Sequence, residues 1–448
     1  MKKLLAVFLS LLMLVPLASL PAYAVGYDPS ATYTVQAESA YIVNTDTNLI
    51  IYEKSSETPT KAAGLTKLMT AALILTQYQD ALDTTTVTIP AAISDYVYKT
   101  NNADMRTGET YTLREILYAM LLRNANEAAM AAAYQLSGND LTGWVSQMNS
   151  LSQKIGTTGS TWTDACGIDA GNVTTARDSY LLLRYLMGFD AFVQIEGTAV
   201  FQMPAKEKHS AASNLVNQNV MVNASSGGKY YRSSIKGGKT DIPNYVADSG
   251  TQSCVSWATQ NGETYIFAVM NSPDTCDDYG YASRRPALCE TTKLADWVFS
   301  SFSIQNALDS DQPLCEIPVK YSLETDTLML YPNDDMMTIL PSSSDASVTQ
   351  KVYNLPDYVC APIHQGDVVG TVTLMLAGEA IGTVDLVAGQ DVSRNSFLFG
   401  VSKLQEFFTS LYFRVLLTLS LLCFAGYLAW FFFNAYVHRN SRKVRRRH

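Results

Sequence analysis

Three short stretches of the 448-residue chain carry residue types that can move protons or hold an anion. The first is Pro59-Thr-Lys-Ala-Ala-Gly64-Leu-Thr-Lys67-Leu-Met-Thr70. The second is Leu122-Arg-Asn124-Ala-Asn126-Glu-Ala-Ala129, and the third is Ser234-Ile-Lys236-Gly237-Gly238-Lys-Thr-Asp241. Other chemistries fail on spacing. Gly237-Gly238-Lys239-Thr240 looks like the end of a phosphate-binding loop, but G-x-x-x-x-G-K-[ST] needs glycine at 233, where Ser233 stands. Lys239 and Thr240 then read as strand-end residues. Asp164 and Asp169 flank Cys166 without a histidine in the segment, so Cys166 reads as a packing residue rather than a nucleophile. Four histidines in all, with no C-x-x-C pair, offer no ligand set, and neither a metal nor another cofactor is expected. Asn223-Ala-Ser225 has glycosylation spacing, a match short enough to arise by chance.

In order and spacing the three stretches resemble the S-x-x-K, S-x-N and K-T-G motifs of serine penicillin-binding enzymes. The likeness is greatest to the low-molecular-mass D-alanyl-D-alanine carboxypeptidases, peptidase family S11, and it covers most of the chain. Tyr41–Lys54 resembles the family's opening hairpin, Thr107–Tyr118 the lead into the second motif, and Val173-Thr-Thr-Ala-Arg-Asp178 a further signature. The resemblance implies an α/β (α+β) penicillin-binding-protein-like or serine β-lactamase-like domain, built from an antiparallel sheet and a helical subdomain. A small all-β domain and one transmembrane helix follow. It also implies a mechanism. A serine at the start of a buried helix attacks the carbonyl between two terminal D-alanines, and a lysine one turn on takes its proton. The second motif relays protons and binds the substrate amide. The lysine of the third motif holds the substrate carboxylate, and backbone N–H groups form the oxyanion hole.

Carried over residue by residue, the resemblance puts Gly64 at the nucleophile position, Lys67 at the base position, Asn124 at the relay serine and Asn126 at the second-motif asparagine. Lys236, Gly237 and Gly238 fall on the substrate-binding third motif. All three hydroxyl positions are therefore empty: Gly64 has no side chain, Asn124 no hydroxyl, and Gly237 stands for threonine. Thr66 cannot substitute, being about 200° round the helix from position 64. Loss of a nucleophile costs about 10⁶ in rate. The expected function is an inactive, wall-facing member of the family that acts as a peptidoglycan-related binding or regulatory module, its lysines offering a cationic cleft to a stem-peptide carboxylate or another wall component. Two alternatives stand beside it: a working carboxypeptidase using unusual chemistry, and a structural or adhesion ectodomain.

Several elements must position these residues. Ala40–Asn44 and Leu49–Lys54 flank a polar turn and predict a hairpin. Gly64–Tyr78 is apolar all round and predicts a buried helix. Leu113–Leu122 and Glu127–Leu136 predict helices on either side of the second stretch. Leu141–Lys154 predicts a helix stopped by Gly156, and Thr175–Asp178 has capping-box spacing ahead of another ending at Gly188. Cys254–Thr259 and Thr264–Asn271 alternate around Asn261-Gly262, a hairpin signal. A last helix is expected at Thr291–Phe302, and hairpin strands at Gly366–Leu376 and Ile381–Val387.

Composition sets the address. With 47% hydrophobic residues the chain is not disordered, and 32 basic against 41 acidic residues speaks against nucleic acid. Met1-Lys2-Lys3, an uncharged run through Leu20 and Ala22-Tyr23-Ala24 predict a signal peptide at 1–24. Val415–Val437 is uncharged and predicts a membrane span. The basic residues of 438–448 predict a cytoplasmic tail, so the ectodomain faces outward on a single-pass anchor. Removing two basic residues from the signal and six from the tail leaves 24 against the 41 acids. The expected domains are 25–305 for the enzyme-like fold, 313–395 for the β domain and 396–414 for a linker. Six cysteines (Cys166, Cys254, Cys276, Cys289, Cys315, Cys360) are compatible with disulfides in that compartment.

Overall fold

The computed structural model describes residues 33–241, 251–273, 285–342, 349–376 and 378–444. The expected signal at 1–24 and Cys276 lie outside them. Two compact units divide the chain.

The first unit is organised by a five-stranded antiparallel sheet. Its strands are β1 (Ser39–Asn44), β2 (Ile50–Lys54), β3 (Ile235–Thr240), β4 (Gln252–Gln260) and β5 (Glu263–Ser272), in the order β2-β1-β5-β4-β3. Alternation along the strands builds two cores. Tyr41, Val43, Ile266, Ala268 and Met270 face the helical subdomain. Ala40, Ile42, Tyr265, Phe267 and Val269 face the opposite side. Every residue of β1 is buried, which is why its sequence reads as a nearly continuous apolar run. The β4–β5 turn puts Asn261 at φ 53° and Gly262 at φ 86°, the pair of positive angles that a two-residue hairpin of this twist needs.

Helices cover both faces. Helix α1 (Thr66–Tyr78) follows a 3₁₀ turn at Ala63–Leu65 and is buried from Thr66 to Leu75. It lies among α2 (Leu113–Leu122), α3 (Asn126–Leu136), α4 (Leu141–Ile155) and α5 (Ala176–Leu186). A full capping box joins Thr112 and Glu115 at the start of α2, and Asp140 caps α4, which Gly156 ends at φ 95°. Thr175 caps α5 through the N–H of Asp178. A short helix, α6 (Asp190–Glu196), packs against β3. On the far side of the sheet lies α7 (Pro286–Ser301), which starts five residues before the expected helix because Pro286 is preorganised for the first turn.

The second unit is a six-stranded sheet of β6 (Cys315–Lys320), β7 (Thr327–Pro332), β8 (Gln350–Asn354), β9 (Val359–Cys360), β10 (Val368–Leu376) and β11 (Glu379–Ala388). Their order is β8-β10-β11-β7-β6-β9. Leu328, Leu330, Val372, Leu374 and Leu386 form its buried side. The stretch expected as a linker is in fact helical. Asn395 caps α8 (Ser396–Thr409), and Ser410 separates it from α9 (Leu411–Val444). Within α9, Leu411–Tyr436 is long and apolar enough to cross a membrane, with a mean hydropathy of 2.1. Cys166, Cys254, Cys315 and Cys360 are free thiols, contrary to the disulfides their number allows.

One close approach in the first sheet constrains the third sequence stretch. Trp257 pairs with Gly237 and Ala258 with Ile235, so Lys236 is the extra residue of a β-bulge. The ring of Trp257 lies directly over Gly237, where an added Cβ would come within 1.9 Å of it. Glycine is required there for packing. A Gly237→Thr substitution overpacks a fully buried site and should cost about 1–3 kcal/mol, read as a lowered melting midpoint of the full-length protein. An unchanged midpoint would contradict this packing.

Candidate functional site

Lys67 sits in the first turn of α1, and its side chain is 1% exposed. A buried ammonium must be solvated by the protein. Lys67 Nζ donates to Asn126 Oδ1 at 2.6 Å and to the Cys166 carbonyl at 2.7 Å. Burial lowers its pKa, while Cys166, Asp164, Asp241 and Glu127 pull the other way. Asn126 is placed by the start of α3, where its N–H donates to the Asn101 carbonyl. The neighbouring Glu127 accepts from the N–H groups of Ala103 and Met105 and is raised in pKa by burial. Asp164 folds the loop that presents the Cys166 carbonyl by accepting from the N–H groups of Cys166, Gly167 and Asp169 and from the Tyr96 hydroxyl. Burial pushes the Cys166 thiol up to about 12, so it is inert and structural.

Gly64 lies one turn ahead of Lys67. A Cβ added there would lie 2.7 Å from Asn124 Nδ2 and 3.0 Å from Asn124 Oδ1. The Asn124 side chain thus fills the space that a residue-64 side chain would need. Asn124 is 1% exposed, adopts φ 59°, and its Oδ1 is buried with no hydrogen-bond partner among the described residues. A left-handed backbone and an unpaired acceptor each cost energy, the combination found at functional sites rather than in ordinary cores. Thr66 is fully buried against Gly167, as its position on the helix predicts, and is not open to a ligand.

The third stretch is arranged differently from the sequence expectation. Lys236, the bulge residue, is exposed, and its Nζ donates to the Ser233 carbonyl at 2.7 Å. It does not join Lys67 and Asn126. Gly237 and Gly238 serve backbone packing: Gly237 lies under Trp257, and Gly238, at φ 132°, would drive a Cβ to 2.4 Å from the Ser256 Cα. The bulge brings Lys239 and Asp241 to the site instead. Lys239 is 1% exposed and donates to the Leu121 carbonyl at 2.9 Å, at the end of the helix that leads to Asn124. Its pKa is lowered by burial, against the attraction of Glu196, a fully buried carboxylate on α6 whose own pKa is raised by burial. Asp241 Oδ1 accepts the N–H of Gly64 at 3.2 Å. Burial raises Asp241 to about 6, while the Gly64 N–H, Lys67, Lys239 and Lys61 favour its charged form.

Gly64, Lys67, Asn124 and Asn126 therefore converge as the sequence indicates, and Lys239 and Asp241, which it missed, converge with them. The missed signal was the Lys-Thr pair at 239–240, which matches the first two residues of K-T-G. The arrangement differs from a cationic cleft. Both buried ammonium groups are anchored to protein carbonyls or an amide, and an aspartate lies beside them. The described residues contain no cluster suited to a metal ion.

Known proteins resemble the chain across both units. Residues 26–274 match the family model described as D-alanyl-D-alanine carboxypeptidase. Residues 302–394 match the C-terminal domain of penicillin-binding protein 5. The chain is 23% identical over 411 residues to the D-alanyl-D-alanine carboxypeptidase DacF of Bacillus subtilis, covering 89% of this chain and 96% of that one. Its identity to DacA of Escherichia coli is 24% over 373 residues, covering 81% and 85%. Among solved structures, penicillin-binding protein 5 of Haemophilus influenzae has a TM-score of 0.57 at 20% identity, covering 81% of this chain and 99% of that one. The carboxypeptidase DacD of Francisella tularensis has a TM-score of 0.59 at 18% identity, covering 81% and 95%. These likenesses extend the penicillin-binding fold over both units, and the chain belongs to the D-alanyl-D-alanine carboxypeptidase family.

Proposed function

We propose that this protein is a non-acylating member of its family, a wall-facing module that recognises peptidoglycan-related peptides without cleaving them. One observation carries the reading: the space where the family's nucleophile stands is filled by Asn124, and position 64 has no side chain with which to attack. Lys67 fits the family's base position but has no hydroxyl at position 64 to deprotonate, and two of its protons are held by Asn126 and Cys166. Lys239-Thr240-Asp241 takes the role of the third motif, with aspartate where the family has glycine, and Lys236 falls outside it. The apolar helix Leu411–Tyr436 and the basic residues behind it support a single-pass anchor that leaves both domains outside the cell.

The full-length protein in detergent, exposed to a fluorescent penicillin, is expected to show no covalent label. Gly64→Ser alone should also stay dark, because the new Cβ meets the Asn124 amide. The triple variant Gly64→Ser, Asn124→Ser, Asp241→Gly supplies the nucleophile, clears its space and opens the anion position, and is expected to gain labelling. Labelling of the unmodified protein would overturn the reading. A folded triple variant that stays dark would show that the defect lies beyond these three positions.

A further inference from the structure

A hollow of about 560 Å³ opens in the helical subdomain, a volume in the range that holds a drug-sized molecule. It lies between the 3₁₀ turn at Ala91–Ile93, the first turns of α4 and the loop 163–169. None of Gly64, Lys67, Asn124, Asn126, Lys239 and Asp241 lines it. Its floor is apolar and buried, made by Ile93, Met130, Trp144 and Ala165. Leu141 and Val145, one turn apart on α4, are half-buried along its side. An apolar body seated here would bury surface against these groups.

The charged groups of the wall share one sign. Asp164 and Asp169 line it, and no lysine, arginine or histidine does. The other polar side chains are neutral: the hydroxyls of Tyr96, Thr142, Ser146 and Thr163, and the buried indole N–H of Trp144, which has no partner among the described residues. The two aspartates are not equivalent. Asp164 is buried and saturated: Oδ1 accepts from the N–H groups of Cys166 and Gly167, and Oδ2 from the Asp169 N–H and the Tyr96 hydroxyl. Lys67, on its other side, offsets its charge. Asp169 is exposed at the rim. Its Oδ1 accepts the Gly171 N–H at 2.7 Å, and its Oδ2 has no bond to a described residue. The charge that a ligand meets is therefore that of Asp169.

We propose that this hollow is a second binding site, for a small molecule with an apolar body and one ammonium group. The body fills the buried floor, and the ammonium meets Asp169 at the rim. The site stands apart from the one around Gly64 and is the same whether or not that one acylates.

Three probes of similar shape separate the two contributions: 4-phenylbutylamine, 4-phenylbutanol and 4-phenylbutyrate. Each is titrated at pH 7.5 and low salt into the full-length protein in an uncharged detergent. Binding is read from the nitrogen-15 indole signal of Trp144, assigned by its loss in Trp144→Phe. The amine should shift this signal with a Kd about threefold below that of the alcohol and about tenfold below that of the carboxylate. Asp169→Asn should abolish the difference between amine and alcohol and leave the alcohol's affinity unchanged. Val145→Phe narrows the hollow and should weaken all three probes about fivefold. Each variant meets the same detergent, so partition of the probes into micelles is common to every comparison. In the unmodified protein 1 M salt should compress the gap between amine and carboxylate, a readout that needs no variant to fold. No shift of the Trp144 signal with any probe, equal Kd values for amine and carboxylate, a gap untouched by salt, or an amine preference that persists in folded Asp169→Asn would overturn the proposal.

Discussion

The buried ammonium of Lys67 is the constraint on which the rest of the site depends. An isolated ammonium in a protein interior costs several kcal/mol unless the protein replaces its hydration. Here the replacement comes from two places far apart in sequence, Asn126 at the head of α3 and the Cys166 carbonyl in the loop folded by Asp164. Those bonds tie the central helix to the second-motif turn and to that loop. Lys67 and Asn126 therefore have a structural reason to be kept apart from any catalysis: removing either partner leaves the other buried with a lost hydrogen bond.

The same physics applies at the neighbouring strand. Lys239 and Glu196 are both fully buried, and each lowers the cost of the other's charge. Asp241 extends this arrangement to Gly64, whose N–H it accepts. In a site whose ligand brings a negative charge, lysines are balanced only when the ligand arrives. Here the balancing anion belongs to the chain. At position 64 itself Asn124 fills the volume a side chain would take, and Asp241 supplies a charge beside it.

Much of this was legible in the sequence because it is local. The hairpins, the all-apolar helix and the cap at Thr175 follow from periodicity and turn chemistry, and Gly64, Lys67, Asn124 and Asn126 follow from motifs that lie within single elements and resemble those of the family. The third stretch was misread for a non-local reason. Two lysines three residues apart lie on opposite faces of a regular strand, and either can be placed at the site by a one-residue change of register. The bulge at Lys236 decides the matter, and it is set by the partner strand, where the ring of Trp257 needs Gly237 beneath it. The helix Ser396–Thr409 was missed because its apolar residues run into the span that follows, and only Ser410 separates the two.

The most direct measurement is the backbone amide of Gly64, followed by nitrogen-15 NMR in glycine-labelled full-length protein as pH is varied from 4 to 8. Seated under the Asp241 carboxylate, this N–H should shift with a midpoint near pH 6, and Asp241→Asn should abolish the transition. A Gly64 amide that stays flat across that range, or that titrates near pH 4 as it would beside an ordinary solvated carboxylate, would contradict the account.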